Sequence, residues 1–232
     1  ITTLAGNTGR VSLVENSGFD IGTVNTVGLT TSGNTTLSST GAVTQSNLIA
    51  AAGLELLGTN GTYTLTNTGN AITTLAGNTG TVSFLENSGF DIGTVNTVGL
   101  TASTSVTLSS TGTVTQSNLI STPSLLLLGT AGVYTLTNTS NAITTLAGNT
   151  GTVSFLENSG YAIGTVGSTV GLTTSGNTTL SSTGTVTQSA GITAAGLELL
   201  GTGGIYTLTN TGNAITTLAG NTGRVSLVEN SG

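Results

Sequence analysis

The sequence predicts an all-β fold, a parallel β-solenoid, and three observations support this prediction. The segment ITTLAGNTG begins at Ile1, Ile72, Ile143 and Ile215, so one unit recurs at spacings of 71, 71 and 72 along the chain. Within each unit, aliphatic residues alternate with Thr, Ser and Asn, and Gly-rich turns separate the alternating stretches. No stretch shows the apolar period of an α-helix, which argues against a helical repeat.

The copies join without a linker, so we interpret residues 1–232 as a single continuous solenoid segment. The third copy has one extra residue, where TVNTVGL (94–100) becomes TVGSTVGL (165–172). A Gly-Ser turn can lengthen without disturbing a packed strand, so we expect a turn at this point. The copies span residues 1–71, 72–142 and 143–214, followed by a partial copy at 215–232.

Each unit contains three weaker echoes that read strand, Gly turn, strand, asparagine, as at 81–96, 106–118 and 125–138. A further apolar-alternating stretch follows each asparagine. We therefore predict coils of three short strands and about 24 residues, with three coils in each repeat. Since stacked parallel strands lie about 4.8 Å apart, residues that recur once per repeat would be about 14 Å apart along the axis.

The interior of such a solenoid should be narrow and aliphatic, because only 3% of the residues are aromatic. Outward positions would carry Thr, Ser and Gly, and the backbone ladder would satisfy the strand N–H and C=O groups. The residues expected to point inward in the second copy are Val82, Phe84, Ile92, Leu108, Val114, Leu126 and Tyr134.

The asparagine that closes the second strand of each coil is the candidate site of highest specificity. Stacked asparagines can bond amide to amide along the axis, and Asn also tolerates the left-handed backbone of a corner. The series is interrupted at Gly167 and Ala190, and we expect a local weak point at Ala190. The predicted ladder consists of Asn25, Asn47, Asn67, Asn96, Asn118, Asn138 and Asn210.

The composition argues against most kinds of chemistry. The chain lacks His, Lys and Cys, so the usual catalytic triads and dyads cannot be assembled, and we expect no enzyme, metal site or cofactor. Arg10 and Arg224 are the basic residues and the formal net charge is -6, which argues against binding to nucleic acid. A run of about 18 apolar residues, as a membrane span needs, does not occur.

The acids recur with the repeat instead of forming a unique pair. A glutamate opens every ENSG segment, and an aspartate follows five positions later in the first two copies, at Asp20 and Asp91, where the third copy has Ala162. Since a catalytic pair of carboxylates is normally unique, we interpret these acids as solvated surface groups. The recurring glutamates are Glu15, Glu86, Glu157 and Glu229.

Two binding functions stay open as alternatives. A solenoid face that carries flat Thr arrays can bind ice, but the aligned outward residues Gly93, Thr115 and Thr135 interrupt such an array at one coil in three. Thr is also simply a good exposed strand residue. A glycan-binding module is the second alternative, and titration with oligosaccharides would identify it.

The combination of GLTTSGNTTLSSTGTVTQS (171–189), ITAAGLELLGTGGIYTLTNTGNAITTLAGNTG (192–223) and ENSG resembles the repeat regions of filamentous-haemagglutinin-like exoproteins. These large adhesins are exported by two-partner secretion, and the resemblance covers the whole chain. It implies a right-handed parallel β-helix, export through an outer-membrane transporter, and a location outside the cell or on the bacterial surface.

Together these features predict a structural segment of a bacterial surface fibre, which gives length and stiffness for adhesion or cell-surface contact. Neither end carries an atypical capping repeat, so we expect the chain to be part of a longer polypeptide with further copies of the repeat. The expected partners are these further copies, neighbouring filaments in a lateral bundle, and a cell-surface or glycan receptor.

Overall fold

The computed structural model describes residues 1–230 and contains 22 β-strands over this range. Fifteen of these strands have two to five residues, and the other seven have 10 to 17 residues. The strands are β1 Thr3–Leu4, β2 Gly6–Thr8, β3 Val11–Val14, β4 Gly18–Ile21, β5 Leu29–Thr31, β6 Thr35–Ser38, β7 Ala42–Gln45, β8 Ile49–Leu65, β9 Ala71–Leu85, β10 Asp91–Ile92, β11 Leu100–Ser109, β12 Thr113–Gln116, β13 Ile120–Leu136, β14 Ala142–Leu156, β15 Ala162–Ile163, β16 Thr165–Val166, β17 Thr169–Val170, β18 Leu172–Thr174, β19 Asn177–Ser181, β20 Thr185–Gln188, β21 Ile192–Leu208 and β22 Ala214–Leu227.

Twenty of these strands form one parallel sheet that winds through about eleven coils, which confirms the predicted all-β parallel solenoid. A coil with three short strands is clearest at β5, β6 and β7, each of which pairs in parallel with β8 of the next coil. Successive coils are joined by backbone hydrogen bonds between neighbours in the stack, so a chain with few charged residues is held together by its ladder.

The length of a coil can be measured along one column of paired residues. This column climbs eight coils between Gly18 and Thr187, and the sequence steps between consecutive members range from 17 to 25. The average step, (187 − 18)/8, is about 21, which is shorter than the predicted coil. The column runs through Gly18, Ala42, Thr62, Thr81, Ser105, Ser124, Thr145, Ala162 and Thr187.

The prediction of three coils per repeat is therefore wrong. From Gly18 to Ala162 the chain makes seven coils, and this sequence separation of 162 − 18 = 144 is close to the length of two copies. One copy thus occupies about three and a half coils. The predicted coil was too long because it included residues that leave the stack, such as 94–98, where the chain forms a small antiparallel excursion.

Because the copy contains a half coil, equivalent residues of consecutive copies lie on different sides of the solenoid. The column that contains Val82 continues upward through Leu146 and then Ile163. Val153, which is the equivalent of Val82 one copy later, lies between Leu146 and Ile163 in the chain and belongs to a different column, with Tyr134 below it. Equivalent residues return to the same side after two copies, or seven coils, about 34 Å.

The interior is one continuous aliphatic core, as the sequence predicts. Six of the seven residues expected to point inward lie in it: Val82, Phe84, Ile92, Leu108, Val114 and Tyr134. Leu126 is buried too, but in a separate cluster with Ala147 and Val166 on the outer surface of the sheet. Each fully buried aliphatic side chain contributes about 1.5–3 kcal/mol relative to exposure.

The outer surface carries one small hairpin in each complete copy, which we call hairpins 1, 2 and 3. Hairpins 1 (22–28) and 2 (93–99) have the same sequence, GTVNTVG, and each contains one antiparallel bridge. Hairpin 3 (164–171) carries the extra residue, and its strands β16 and β17 pair antiparallel around Gly167 and Ser168. The extra residue therefore falls in a turn, as predicted, and Gly167 has the positive φ of 60° that favours glycine there.

Candidate interface between repeats

A polar site that joins two copies lies where hairpin 2 of the second copy covers Glu55 of the first copy. Glu55 is in β8, on the outer side of the sheet between Thr36 below and Ala76 above. Its side chain is nevertheless only 1% exposed. The residues that bury it are 41 and 42 positions away, at Asn96 and Thr97.

Four donors surround the Glu55 carboxylate. Oε1 accepts hydrogen bonds from the backbone N–H groups of Asn96 (3.3 Å) and Thr97 (2.6 Å). Oε2 accepts from Asn96 Nδ2 (2.8 Å) and from Thr36 Oγ1 (2.8 Å). A buried carboxylate is stable only when its oxygens are bonded in this way, so the site fastens hairpin 2 to the preceding copy.

Two opposing effects, burial and hydrogen bonding, act on the pKa of Glu55. Burial raises the pKa of the carboxyl, but the hydrogen bonds donated by Asn96, Thr97 and Thr36 lower it more, so that it lies below its ordinary value. The carboxylate is thus the form that the hairpin recognises.

Hairpin 2 also makes an apolar contact that depends on a glycine. A Cβ atom added to Gly53 would lie 2.9 Å from Val95 Cγ2, so a larger residue at this position would push the hairpin away. Val95 is half-buried, whereas Val24, its equivalent in hairpin 1, is 57% exposed because no described residue covers it. Among residues 1–230, hairpin 1 thus has the sequence of hairpin 2 but not its contact with another copy.

Hairpin 3 docks on the second copy at the equivalent position, but with different chemistry. The residue that corresponds to Glu55 is Leu126, and the residue that corresponds to Gly53 is Ser124. Leu126 packs with Ala147 and with Val166 of hairpin 3, which is 8% exposed. An apolar contact here takes the place of the four hydrogen bonds at Glu55.

In the third copy the equivalent position is Glu198, which is exposed. Thr179 Oγ1 donates a hydrogen bond to Glu198 Oε2 over 3.1 Å, as Thr36 does to Glu55. Hairpins 2 and 3 are docked at Glu55 and Leu126, respectively, and no hairpin among residues 1–230 lies over Glu198.

The structure does not bring the seven predicted ladder asparagines into one stack. Two of them, Asn25 and Asn96, lie in hairpins 1 and 2 and outside the coil. Asn47 Nδ2 donates to Thr23 Oγ1 over 3.0 Å, and Asn118 Nδ2 donates to Thr94 Oγ1 over 2.9 Å.

The other three asparagines of the series form turns. Asn67, Asn138 and Asn210 each accept, through Oδ1, the N–H of the residue two positions later, at 2.8–2.9 Å. Their Nδ2 atoms donate to a serine carbonyl of the coil below. A tall stack cannot form because one copy makes about three and a half coils, so equivalent asparagines alternate between different sides.

The amide pairs that do join coils involve asparagines that the sequence reasoning missed, Asn70, Asn141 and Asn213. Gln45 Nε2 donates to Asn70 Oδ1, and Asn70 Nδ2 donates back to Gln45 Oε1 over 3.2 Å. Asn70 Oδ1 also accepts the N–H of Ile49 over 2.9 Å. The pairs of Gln116 with Asn141 and of Gln188 with Asn213 repeat this geometry.

These missed asparagines are buried, at 4%, 4% and 1% exposure for Asn70, Asn141 and Asn213. The signal that could have found them is the recurrence of Asn-Thr-Gly-Asn or Asn-Thr-Ser-Asn in every complete copy, including the third, together with a glutamine at the same place in each. The predicted series used the first asparagine of this motif, but the second asparagine is the one that is buried.

The interpretation of the acids as solvated surface groups is wrong for Glu86 and Glu157, which are each 1% exposed. Glu86 Oε1 accepts from the N–H (3.0 Å) and Oγ (2.5 Å) of Ser88, and Oε2 accepts from the N–H of Gly89 (2.6 Å). Glu157 makes the same bonds. The ENSG segment is thus a turn that folds its own backbone donors onto a carboxylate.

The equivalent Glu15 makes a similar turn at the exposed first coil. Hydrogen bonds from Ser17 lower its pKa, opposed by partial burial, with smaller lowering effects from the chain amino terminus and Gly18. The aspartates also have partners, because Asp91 accepts hydrogen bonds from Thr115 Oγ1 (2.8 Å) and Ser117 Oγ (2.6 Å).

The pairing at Thr115 bears on the ice-binding alternative. Its neighbour in the coil below is Asp91 and not Gly93, and its hydroxyl is already bonded to that carboxylate.

Among residues 1–230 no group of three or more acidic residues could hold a metal ion. Within the same range no helix has the length and apolar character that a membrane crossing requires.

Comparison with known proteins finds no match to this chain among family models, curated proteins or solved structures.

Proposed function

We propose that the chain is a structural segment of a long bacterial surface fibre, whose repeats give a stiff rod for adhesion or cell-surface contact. The observation that carries the proposal is the docking of hairpin 2 on Glu55, since it fastens one copy to the copy before it in addition to the ladder. A second docking contact, of hairpin 3 on Leu126, recurs one copy later.

This design suits a rod better than a compact binding module. Stability in a solenoid comes from contacts between neighbouring repeats, so a further copy adds length and one more docked hairpin without changing the others. The resemblance to filamentous-haemagglutinin-like exoproteins supports a place outside the cell or on its surface, export through an outer-membrane transporter, and a receptor on another cell. Lateral bundling of such rods is a further part of the proposal.

Electron microscopy of the native protein with helical averaging tests the proposal. A fibre of these repeats gives a rung spacing of about 4.8 Å and a copy-to-copy rise of about 17 Å, with each copy turned by about half a turn. Compact particles without the longer spacing would contradict the proposed function and direct attention to a ligand on the threonine-bearing face.

A further inference from the structure

We propose that Glu198 is a docking site for a hairpin of sequence Gly-Thr-Val-Asn-Thr-Val-Gly, supplied by a further copy of the repeat. This inference rests on the proposed function, because the partner is another repeat unit. The observation that supports it is the equivalent site at Glu55, where the hairpin is in place.

The parts of the Glu55 site that belong to the accepting copy are all present around Glu198. Thr179 donates to Glu198 as Thr36 does to Glu55. Gly196 occupies the place of Gly53, where the absence of a side chain makes room for a valine of the hairpin. These residues of the accepting surface therefore keep the same arrangement where no hairpin of residues 1–230 covers them.

A groove lies over this surface. It crosses three successive coils and is bordered by Thr179, Gly196, Glu198, Thr217 and Ala219. Ala219 is exposed, whereas its equivalents Ala76 and Ala147 are completely buried beneath the docked hairpins of the second and third copies. The site at Glu198 thus differs from the site at Glu55 in that no hairpin of residues 1–230 covers it.

The occupant can be chosen from the two kinds of hairpin that the chain displays. Hairpin 2 presents Asn96 and two backbone N–H donors, and it covers the copy that has a glycine and a glutamate at the accepting positions. Hairpin 3 presents Val166 and covers the copy that has Ser124 and Leu126.

The third copy has Gly196 and Glu198, so it matches the asparagine hairpin. The valine hairpin would leave the Glu198 carboxylate buried with fewer donors, which is unfavourable. The side chains of the accepting surface therefore select the sequence of hairpin 2.

An extended chain tests this assignment. Residues 90–109 are added after Gly232, which continues the repeat in phase because ENSG at 229–232 repeats 86–89. In a second chain the addition is residues 161–181, which carry hairpin 3. Each chain is made both with the parent Glu198 and with the substitution Glu198→Leu, and amide hydrogen exchange is followed by NMR. Leu126 shows that the fold accepts leucine at this position.

In the chain with the added hairpin 2, we expect the amide that corresponds to Thr97 to exchange about tenfold more slowly in the parent than in the Glu198→Leu variant. The reason is that the charge-assisted hydrogen bonds to the carboxylate are lost in the variant. With the added hairpin 3 the preference should reverse, and the Glu198→Leu variant should give the slower exchange.

Equal exchange in the parent and Glu198→Leu chains, with the added strands protected in both, would overturn the docking assignment while leaving the proposed fibre intact. Unprotected added strands would instead overturn both, because the coil would not have continued.

Discussion

The two docked hairpins occupy equivalent places but are held by opposite kinds of contact. Hairpin 2 is fixed to Glu55 by hydrogen bonds to a buried carboxylate, and hairpin 3 is fixed to Leu126 by apolar packing against Val166. In each case the accepting residue and the hairpin differ together. The comparison indicates that the backbone fixes the position of the hairpin. The accepting side chain and the hairpin side chain that contacts it then determine which hairpin sequence fits.

The largest loss of stability should follow from replacing the apolar residue beneath hairpin 3 with an acidic one. Leu126→Glu buries a carboxylate beneath Val166, where hairpin 3 lacks the asparagine that serves Glu55. We expect a loss of about 3–5 kcal/mol in the free energy of unfolding, measured by urea denaturation. Leu126→Met, which keeps the apolar contact, is the control and should cost less than about 1.5 kcal/mol. A Leu126→Glu protein as stable as the parent would show that hairpin 3 does not bury this position.

The reverse exchange should have a smaller effect. Glu55→Leu leaves Asn96 Nδ2 and the N–H groups of Asn96 and Thr97 without their acceptor, at a cost of about 1–3 kcal/mol in the free energy of unfolding. Replacing hairpin 2 by the sequence of hairpin 3 in the same protein should recover most of this loss. If the second change made the protein less stable still, the pairing of acceptor and hairpin would be wrong.

A third prediction concerns an aromatic residue of the core that differs between the second and third copies. Tyr161 stands where the second copy has Phe90, and both rings pack edge-on against a phenylalanine at 5.2 Å between centroids. The Tyr161 hydroxyl is buried without a hydrogen-bond partner, and burial raises its pKa well above the ordinary value. Tyr161→Phe should therefore stabilise the fold by about 1 kcal/mol in thermal or urea denaturation, and Phe90→Tyr should destabilise it. A less stable Tyr161→Phe protein would mean that the hydroxyl has a partner.

The smallest effect concerns pH and should distinguish the two docked hairpins. The pKa of Glu55 is lowered in the folded state, so its contribution to stability is present above the ordinary carboxyl pKa and is lost as the pH falls through the lowered value. The amide signals of hairpin 2 should shift over this acid range in NMR spectra, while those of hairpin 3, which has no acid at Leu126, should stay constant. Equal shifts in both hairpins would contradict a carboxylate-specific contact.

The parts of the fold that follow from alternation and turn chemistry could be predicted from the sequence. The parallel solenoid, the inward residues such as Val82 and Phe84, and the turn at Gly167 depend on local pattern, which the sequence displays directly. The number of coils in a copy could not be predicted, because it depends on how many residues each corner uses and how many leave the stack.

The candidate site was harder to predict for the same reason. Glu55 meets Asn96 across a sequence separation of 41, which only the true coil length explains. The burial of Asn70 and Glu86 also escaped prediction, since both residue types are usually exposed and are buried here only because nearby backbone groups bond to them. The recurrence of Glu86 was interpreted as that of a solvated surface group, and Asn70 was not among the predicted asparagines.

The half coil left over in each copy has a mechanical consequence. Any feature that makes one side of a copy longer or bulkier, such as a hairpin, would bend a rod in which all copies faced the same way. In a rod of these copies the next copy would present that feature after about half a turn, so a bend at one copy would be reversed at its neighbour. Over each pair of copies, about 34 Å, such curvature would cancel, so a rod of many units would run straight without any residue dedicated to straightness.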